Sequence, residues 1–120
     1  MSIEVKFKKL RPDAKVPTYG SACAAGADLY VCADAPVVIL PHTTVMIHTG
    51  LAMEIPEGYG GFIFARSGLA AKKGLAPANK VGVVDADYRG EIMVALHNAS
   101  DIEAVLEPFD RVAQMVFLPY

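Results

Sequence analysis

Four short stretches carry the residue types that chemistry requires. In Gly82-Val83-Val84-Asp85-Ala86-Asp87-Tyr88-Arg89-Gly90-Glu91, an apolar run ends in Asp, Tyr and Arg before the next apolar run opens. One reading is a β-hairpin whose polar tip is simply solvated. The other has Asp85 end a buried strand at the mouth of a pocket, where a carboxylate can hold and deprotonate a water as general base. Tyr88 then offers a flat face for a ring. Asn79, a few residues upstream, has an amide that both donates and accepts, as reading a base edge requires.

In Ala65-Arg66-Ser67-Gly68-Leu69-Ala70 a strand runs into a short helix. Unpaired N–H groups at a helix start favour an anion, and Arg66 adds a fork suited to phosphate. Equally, Ser67 could cap the helix beside a solvated Arg66. Asp28, in Ala25-Gly26-Ala27-Asp28-Leu29-Tyr30, follows a glycine turn into a strand and by itself reads as structural. Arg111 and Gln114, in Asp110-Arg111-Val112-Ala113-Gln114, stand at a strand entry and by themselves read as a solvated edge.

The elements that must position these residues have the period of strands. Ile3, Val5 and Phe7 alternate with Glu4, Lys6 and Lys8. Val37–Leu40, Thr43–Met53, Tyr59–Phe64, Val81–Val84, Glu91–Leu96 and Val112–Leu118 continue the series, with Gly, Pro, Asn or Asp between them. Recurrence every ~10 residues is the mark of a sandwich or barrel. The one helical piece is Ser67–Lys73, stopped by Gly74. Pro12, Pro17, Gly20 and Gly26 place a long irregular segment after the first strand. The expectation is one all-β domain over residues 1–120 with a short helix around 67–73.

Composition agrees. The chain has 120 residues, 53% of them apolar, a length suited to one core. Eleven basic against 13 acidic residues leave a net charge of −2, which offers no basic field for nucleic acid or an anionic membrane. Mean hydropathy is high at +0.34, yet charged or turn-forming residues interrupt every apolar stretch before bilayer-spanning length. Met1–Leu10 lacks the apolar core of a secretion signal, so the expected compartment is the cytoplasm. Such apolar content in a small chain also suggests association between copies. Cys23 and Cys32 read as packing residues, and His42, His48 and His97 lack metal-ligand spacing.

Taken together, the segments AGADLY, ARSGLA, GVVDADYRG and DRVAQ resemble, in order, the first four motifs of the trimeric dUTP pyrophosphatases (dUTPases). The resemblance covers nearly the whole chain. It implies a jelly-roll-like distorted β barrel, assembled as a threefold homotrimer with sites built between subunits. It implies cleavage of dUTP between the α- and β-phosphates, giving dUMP and pyrophosphate. Asp85 then activates the attacking water, and Tyr88 packs under the deoxyribose, leaving no room for a 2′-hydroxyl. Asn79 reads uracil with backbone groups of the hairpin around Val81–Val84 and Glu91–Met93, Val84 and Met93 among them. Arg66, Ser67, Gly68 and Gln114 meet phosphates, Asp28 stands near the metal's water shell, and Arg111 supports. Magnesium is held through the triphosphate and waters rather than by a protein ligand set.

Two departures set further expectations. Phe109 stands where the family has Gly before its acidic-Arg pair, so a differently built turn is expected there. The Gly-rich fifth motif is absent, the sequence given running to Leu118-Pro119-Tyr120. Without a closing arm, turnover should fall while nucleotide binding survives. The rival reading is therefore a non-catalytic dUTP-binding or regulatory protein on the same scaffold. A deaminase of dCTP shares that scaffold, but the Asp85-x-x-Tyr88 pairing favours dUTP hydrolysis.

Overall fold

A computed structural model describes residues 2–120. Its strands are β1 (Lys6–Lys9), β2 (Thr18–Tyr19), β3 (Ala27–Tyr30), β4 (Val37–Ile39), β5 (Thr44–His48), β6 (Leu51–Glu54), β7 (Tyr59–Phe64), β8 (Leu75–Pro77), β9 (Gly82–Val84), β10 (Met93–Asn98), β11 (Ala104–Leu106) and β12 (Arg111–Pro119). The helix α1 (Ser67–Lys73) lies between β7 and β8. All strand pairings are antiparallel. β3, β4 and β5 pair with β12, β11 and β10 respectively, a nested order that describes one long hairpin rolled over on itself. That is the logic of a jelly roll.

The rolled sheet is split into four: β1-β6, β5-β10-β8, β11-β4 and β2-β3-β12-β7-β9. One buried cluster draws on all four, with Met53, Ile47, Leu96, Ile39, Leu106, Leu29, Ile63 and Met115 in mutual packing. Period-2 alternation explains why. In β11, Ala104 and Leu106 are buried and Val105 is exposed, and β9 repeats the pattern with Gly82 and Val84 in and Val83 out. Asn98 and Thr49 are the buried polar residues among the described ones, and Asn98 is the more fully bonded. Its Nδ2 donates to the carbonyls of Ile39 and Ile102, and its Oδ1 accepts from the Ser100 N–H and hydroxyl, so burial leaves nothing unpaired.

α1 runs over the expected residues and closes on Gly74 at φ 68°, the left-handed cap for which glycine is suited. The N-cap position is Arg66, and no side chain caps it, so the Ser67 hydroxyl is not used as a cap.

Several expectations need correction. Thr43–Met53 is two strands, because Gly50 (φ 69°) turns the chain between β5 and β6 and the Thr49 hydroxyl donates to the Ile92 carbonyl at 2.6 Å. A Cβ on Gly50 would come within 2.9 Å of the Cys32 sulfur and 3.0 Å of the Ala14 methyl. Gly50→Ala should therefore combine left-handed strain with overpacking and cost about 2–4 kcal/mol, read as a lower denaturant midpoint. The hairpin reading of Gly82–Glu91 does not hold as a paired ladder: β9 pairs with β7, whereas β10 pairs with β5 and β8.

Phe109 takes φ 68°, in the region glycine favours, held by its N–H to the Val31 carbonyl and by the Glu107 N–H to the Asp110 carboxylate. Its ring lies 5.5 Å from the Lys15 ammonium, which also covers Tyr30 at 5.0 Å. Of the cysteines, Cys32 is buried with Ala14 and Leu51, and that burial pushes its thiol pKa up; Cys23 is exposed and packs nothing.

Candidate active site

The candidate residues fall into two clefts. The first lies at the seam between two sheets, where β9 has no strand partner on its outer side and the chain from Glu91 to Met93 approaches from the other sheet. Its volume is about 230 Å³, and Asn79, Gly82, Val84, Asp85, Tyr88 and Met93 line it. Backbone donors and acceptors that no strand pairs are available to a flat polar ligand edge there. Asp85 follows directly on β9 and is exposed at the mouth, as the sequence suggests. Among the described residues its carboxylate enters no ion pair within 4.0 Å. Asp85 also lines a wider cleft of about 680 Å³ with Phe62, Asp87, Arg89 and Tyr120, so it stands on the divide between two open volumes.

The loop from Asp85 to Glu91 braces itself. The Tyr88 N–H donates to the Asp85 carbonyl at 3.1 Å, and Arg89 Nη1 donates to the carbonyls of Ala86 at 2.6 Å and Tyr88 at 3.2 Å. The Tyr88 hydroxyl donates to the Glu91 carbonyl at 2.8 Å. Sequence reasoning did not assign Arg89 and Gly90, which stand inside the third motif; Glu91 was expected only through its backbone, and its side-chain partners, His48 and Gly50, have no local signal.

The second cleft, about 260 Å³, gathers Gly26, Asp28, Arg66, Ser67, Gly68, Arg111 and Gln114. Register explains the grouping: Thr18, Asp28, Gln114 and Phe64 lie side by side across β2, β3, β12 and β7, and Arg66 leaves the end of that row. The Asp28 carboxylate, 14% exposed, meets Arg66 Nε at 3.3 Å and Arg111 Nη1 at 4.0 Å. Two guanidinium groups on one carboxylate leave a net positive cleft. Contact through Nε also leaves the Nη edge of Arg66 for an anion. Ser67 and Gly68 are exposed beside it.

Gln114 is partly committed to the protein. Its Nε2 donates to the Ala65 carbonyl at 3.0 Å, bracing the strand end from which Arg66 departs. Its Oε1 sits so close over Gly26 that a Cβ there would come within 2.5 Å, which is why the first motif needs glycine at that point. Among the described residues, no three of His, Cys, Asp and Glu converge as a metal-ligand set.

The two clefts share no lining residue. Val84 pairs with Gly61, so Asp85 emerges beside the start of β7, whereas Arg66 follows its far end. The four residue steps from Gly60 to Phe64 already span about 13 Å.

Comparison with known proteins bears on both clefts. Residues 12–120 match the family profile for dUTPase. The deoxyuridine 5′-triphosphate nucleotidohydrolase of Hydrogenobaculum sp. (strain Y04AAS1) is 52% identical over 117 residues, 98% of this chain and 81% of that protein. Its counterpart from Desulfitobacterium hafniense is 53% identical over 121 residues, 98% of this chain and 80% of that protein. Among solved structures, dUTPase from Streptococcus mutans superposes with a TM-score of 0.84 at 35% identity, covering 95% of this chain and 94% of that one. A dUTPase from phage phi11 of S. aureus, described as coordinating a structural Mg(II) ion, gives 0.87 at 25% identity, covering 98% and 92%.

Proposed function

The chain belongs to the dUTPase family, and from that premise we propose that it hydrolyses dUTP between the α- and β-phosphates, releasing dUMP and pyrophosphate. The observation that carries the reading is Asp85: an exposed carboxylate without an ion-pair partner among the described residues, at the mouth of a cleft with Asn79 and Tyr88 in its wall. Uracil presents one N–H donor between two carbonyl acceptors. The Asn79 amide and the unpaired backbone of β9 and Met93 supply the complementary groups. Tyr88 takes the sugar, its ring filling the volume a 2′-hydroxyl would need. Asp85 accepts a proton from a water aligned on the α-phosphorus.

Arg66, with the groups of Ser67, Gly68 and Gln114, takes the phosphate oxygens; Asp28 and Arg111 orient Arg66. The chemistry magnesium supplies when bound is neutralisation of phosphate charge, through substrate oxygens and waters. Asp28, already between two guanidinium groups, fits the outer edge of such a shell better than direct ligation. The separation of the two clefts supports a site completed by a second copy of the chain, as in a trimer. The absence of a helix long and apolar enough to cross a membrane among the described residues fits a cytoplasmic enzyme.

The test is pyrophosphate release with magnesium from dUTP, dCTP, dTTP and UTP in parallel. Release from dUTP alone is expected. Binding of dUTP without release would sink the catalytic reading in favour of a binding protein. Ammonia from dCTP would sink it in favour of a deaminase.

A further inference from the structure

Tyr88 does not simply project from its loop; two neighbours define where its ring can be. The Tyr88 hydroxyl donates back to the Glu91 carbonyl at 2.8 Å, folding the phenol over Gly90. A Cβ built on Gly90 would come within 2.5 Å of the Tyr88 hydroxyl oxygen and 2.7 Å of the ring carbon that bears it, and the three atoms nearest to it all belong to Tyr88. The absent side chain at position 90 is therefore the space the phenol occupies. Gly90 has no positive φ, so backbone freedom does not explain the glycine.

Glu91, whose carbonyl receives the phenol, is itself fixed from outside the loop. Its Oε2 accepts the Gly50 N–H at 3.0 Å, and its Oε1 lies 2.9 Å from His48 Nδ1. His48 ends β5 and Gly50 lies in the turn that follows it, where the Thr49 hydroxyl ties the chain to the Ile92 carbonyl. The Glu91 side chain is 24% exposed against 58% for His48, so the link runs from the surface into the seam of the fold. Hydrogen bonds to a partly buried carboxylate are stronger and more directional than neutral ones.

We propose that Gly90 and Glu91 are positioning residues that set the sugar discrimination of the site, by seating the Tyr88 phenol and pinning that seat to the β5–β6 turn. Gly90 admits the ring, and Glu91 fixes the acceptor that holds it. Gly90 does not line the cleft; Glu91 does, and its part in sugar discrimination is played through the Tyr88 phenol. Freed from the seat, the phenol swings out of the plane that excludes a 2′-hydroxyl, and the ribonucleotide gains more than the deoxyribonucleotide. This inference rests on the reading of Tyr88 as the residue under the sugar.

The experiment compares kcat/KM for dUTP and UTP in the parent, Gly90→Ala, Glu91→Ala and Glu91→Gln, with thermal melts as a check on folding. The dUTP:UTP ratio should fall about tenfold in Gly90→Ala and Glu91→Ala, the equivalent of one lost hydrogen bond. Glu91→Gln should stay close to the parent, because a glutamine amide can still accept from Gly50 and donate to His48. If Glu91→Ala fails to fold, Gly90→Ala reads the same seat, since its added methyl meets Tyr88 first. A discriminating parent whose folded variants discriminate equally well, or lose both substrates in proportion, overturns the seat alone. A parent that accepts UTP as readily as dUTP overturns the reading of Tyr88, and this inference with it.

Discussion

Asp85→Asn is expected to lower the rate of pyrophosphate release about 10³-fold while leaving dUTP affinity within a few-fold of the parent, because positioned proton transfer contributes 10²–10⁴-fold. The substitution preserves shape and removes only basicity. It should also fold normally: Asp85 is exposed and enters no ion pair among the described residues, so no partner is orphaned. Turnover and calorimetric affinity must be measured together, since their divergence is the signature. A variant that keeps its rate would remove Asp85 from the mechanism and turn attention to Asp87, which lines the neighbouring cleft.

The second large effect is a recovery. Arg66→Ala should cost roughly 30–100-fold in kcat/KM, the range for a lost charge-assisted phosphate contact, with Asp28 left to Arg111 alone. Asp85 and Arg66 lie toward opposite ends of β7 and in clefts without a common wall. If each site takes Asp85 from one copy and Arg66 from another, the two inactive variants can complement each other. Random co-assembly of Asp85→Asn and Arg66→Ala chains then leaves both residues intact at about one site in four. Activity after equimolar denaturation and joint refolding should rise to roughly a quarter of the parent's. No gain over the separate variants would mean that one chain supplies both residues, and that the clefts must approach each other by movement.

What the sequence disclosed followed the range of the interactions. α1 was legible because its signals lie within eight residues, ending on Gly74. Apolar runs bounded by turn residues marked β7 and β12 almost to the residue. β8 and β11 follow no such run and pair on the edges that β10 and β4 offer them. The break at Gly50 was hidden inside an unbroken apolar run; only the packing of Cys32 and Ala14 around that turn reveals why glycine stands there.

The candidate site was legible as chemistry and illegible as geometry. Asp85, Tyr88, Arg66 and Asp28 announced themselves by type and by motif. That the first two belong to one cleft and the last two to another depends on which strand pairs with which, and Ala27 meeting Met115 is invisible in local sequence. The hairpin reading of Gly82–Glu91 failed for the same reason: proximity in sequence suggested a pair, but β9 pairs with β7 and β10 with β5. The role of the Glu91 side chain went unassigned because its partners, His48 and Gly50, lie across the fold.

The divergence of β9 and β10 also bears on how the protein tolerates change. A ligand in that seam is gripped by two sheets that share no hydrogen-bonded ladder, so its fit depends on the relative pose of two rigid plates. Small repacking at Ile63 or Ile92, which are buried and line the seam, alters the aperture without touching Asp85. Under the proposed function, drift in the hydrophobic interior would be a route to altered base preference that leaves Asp85 in place.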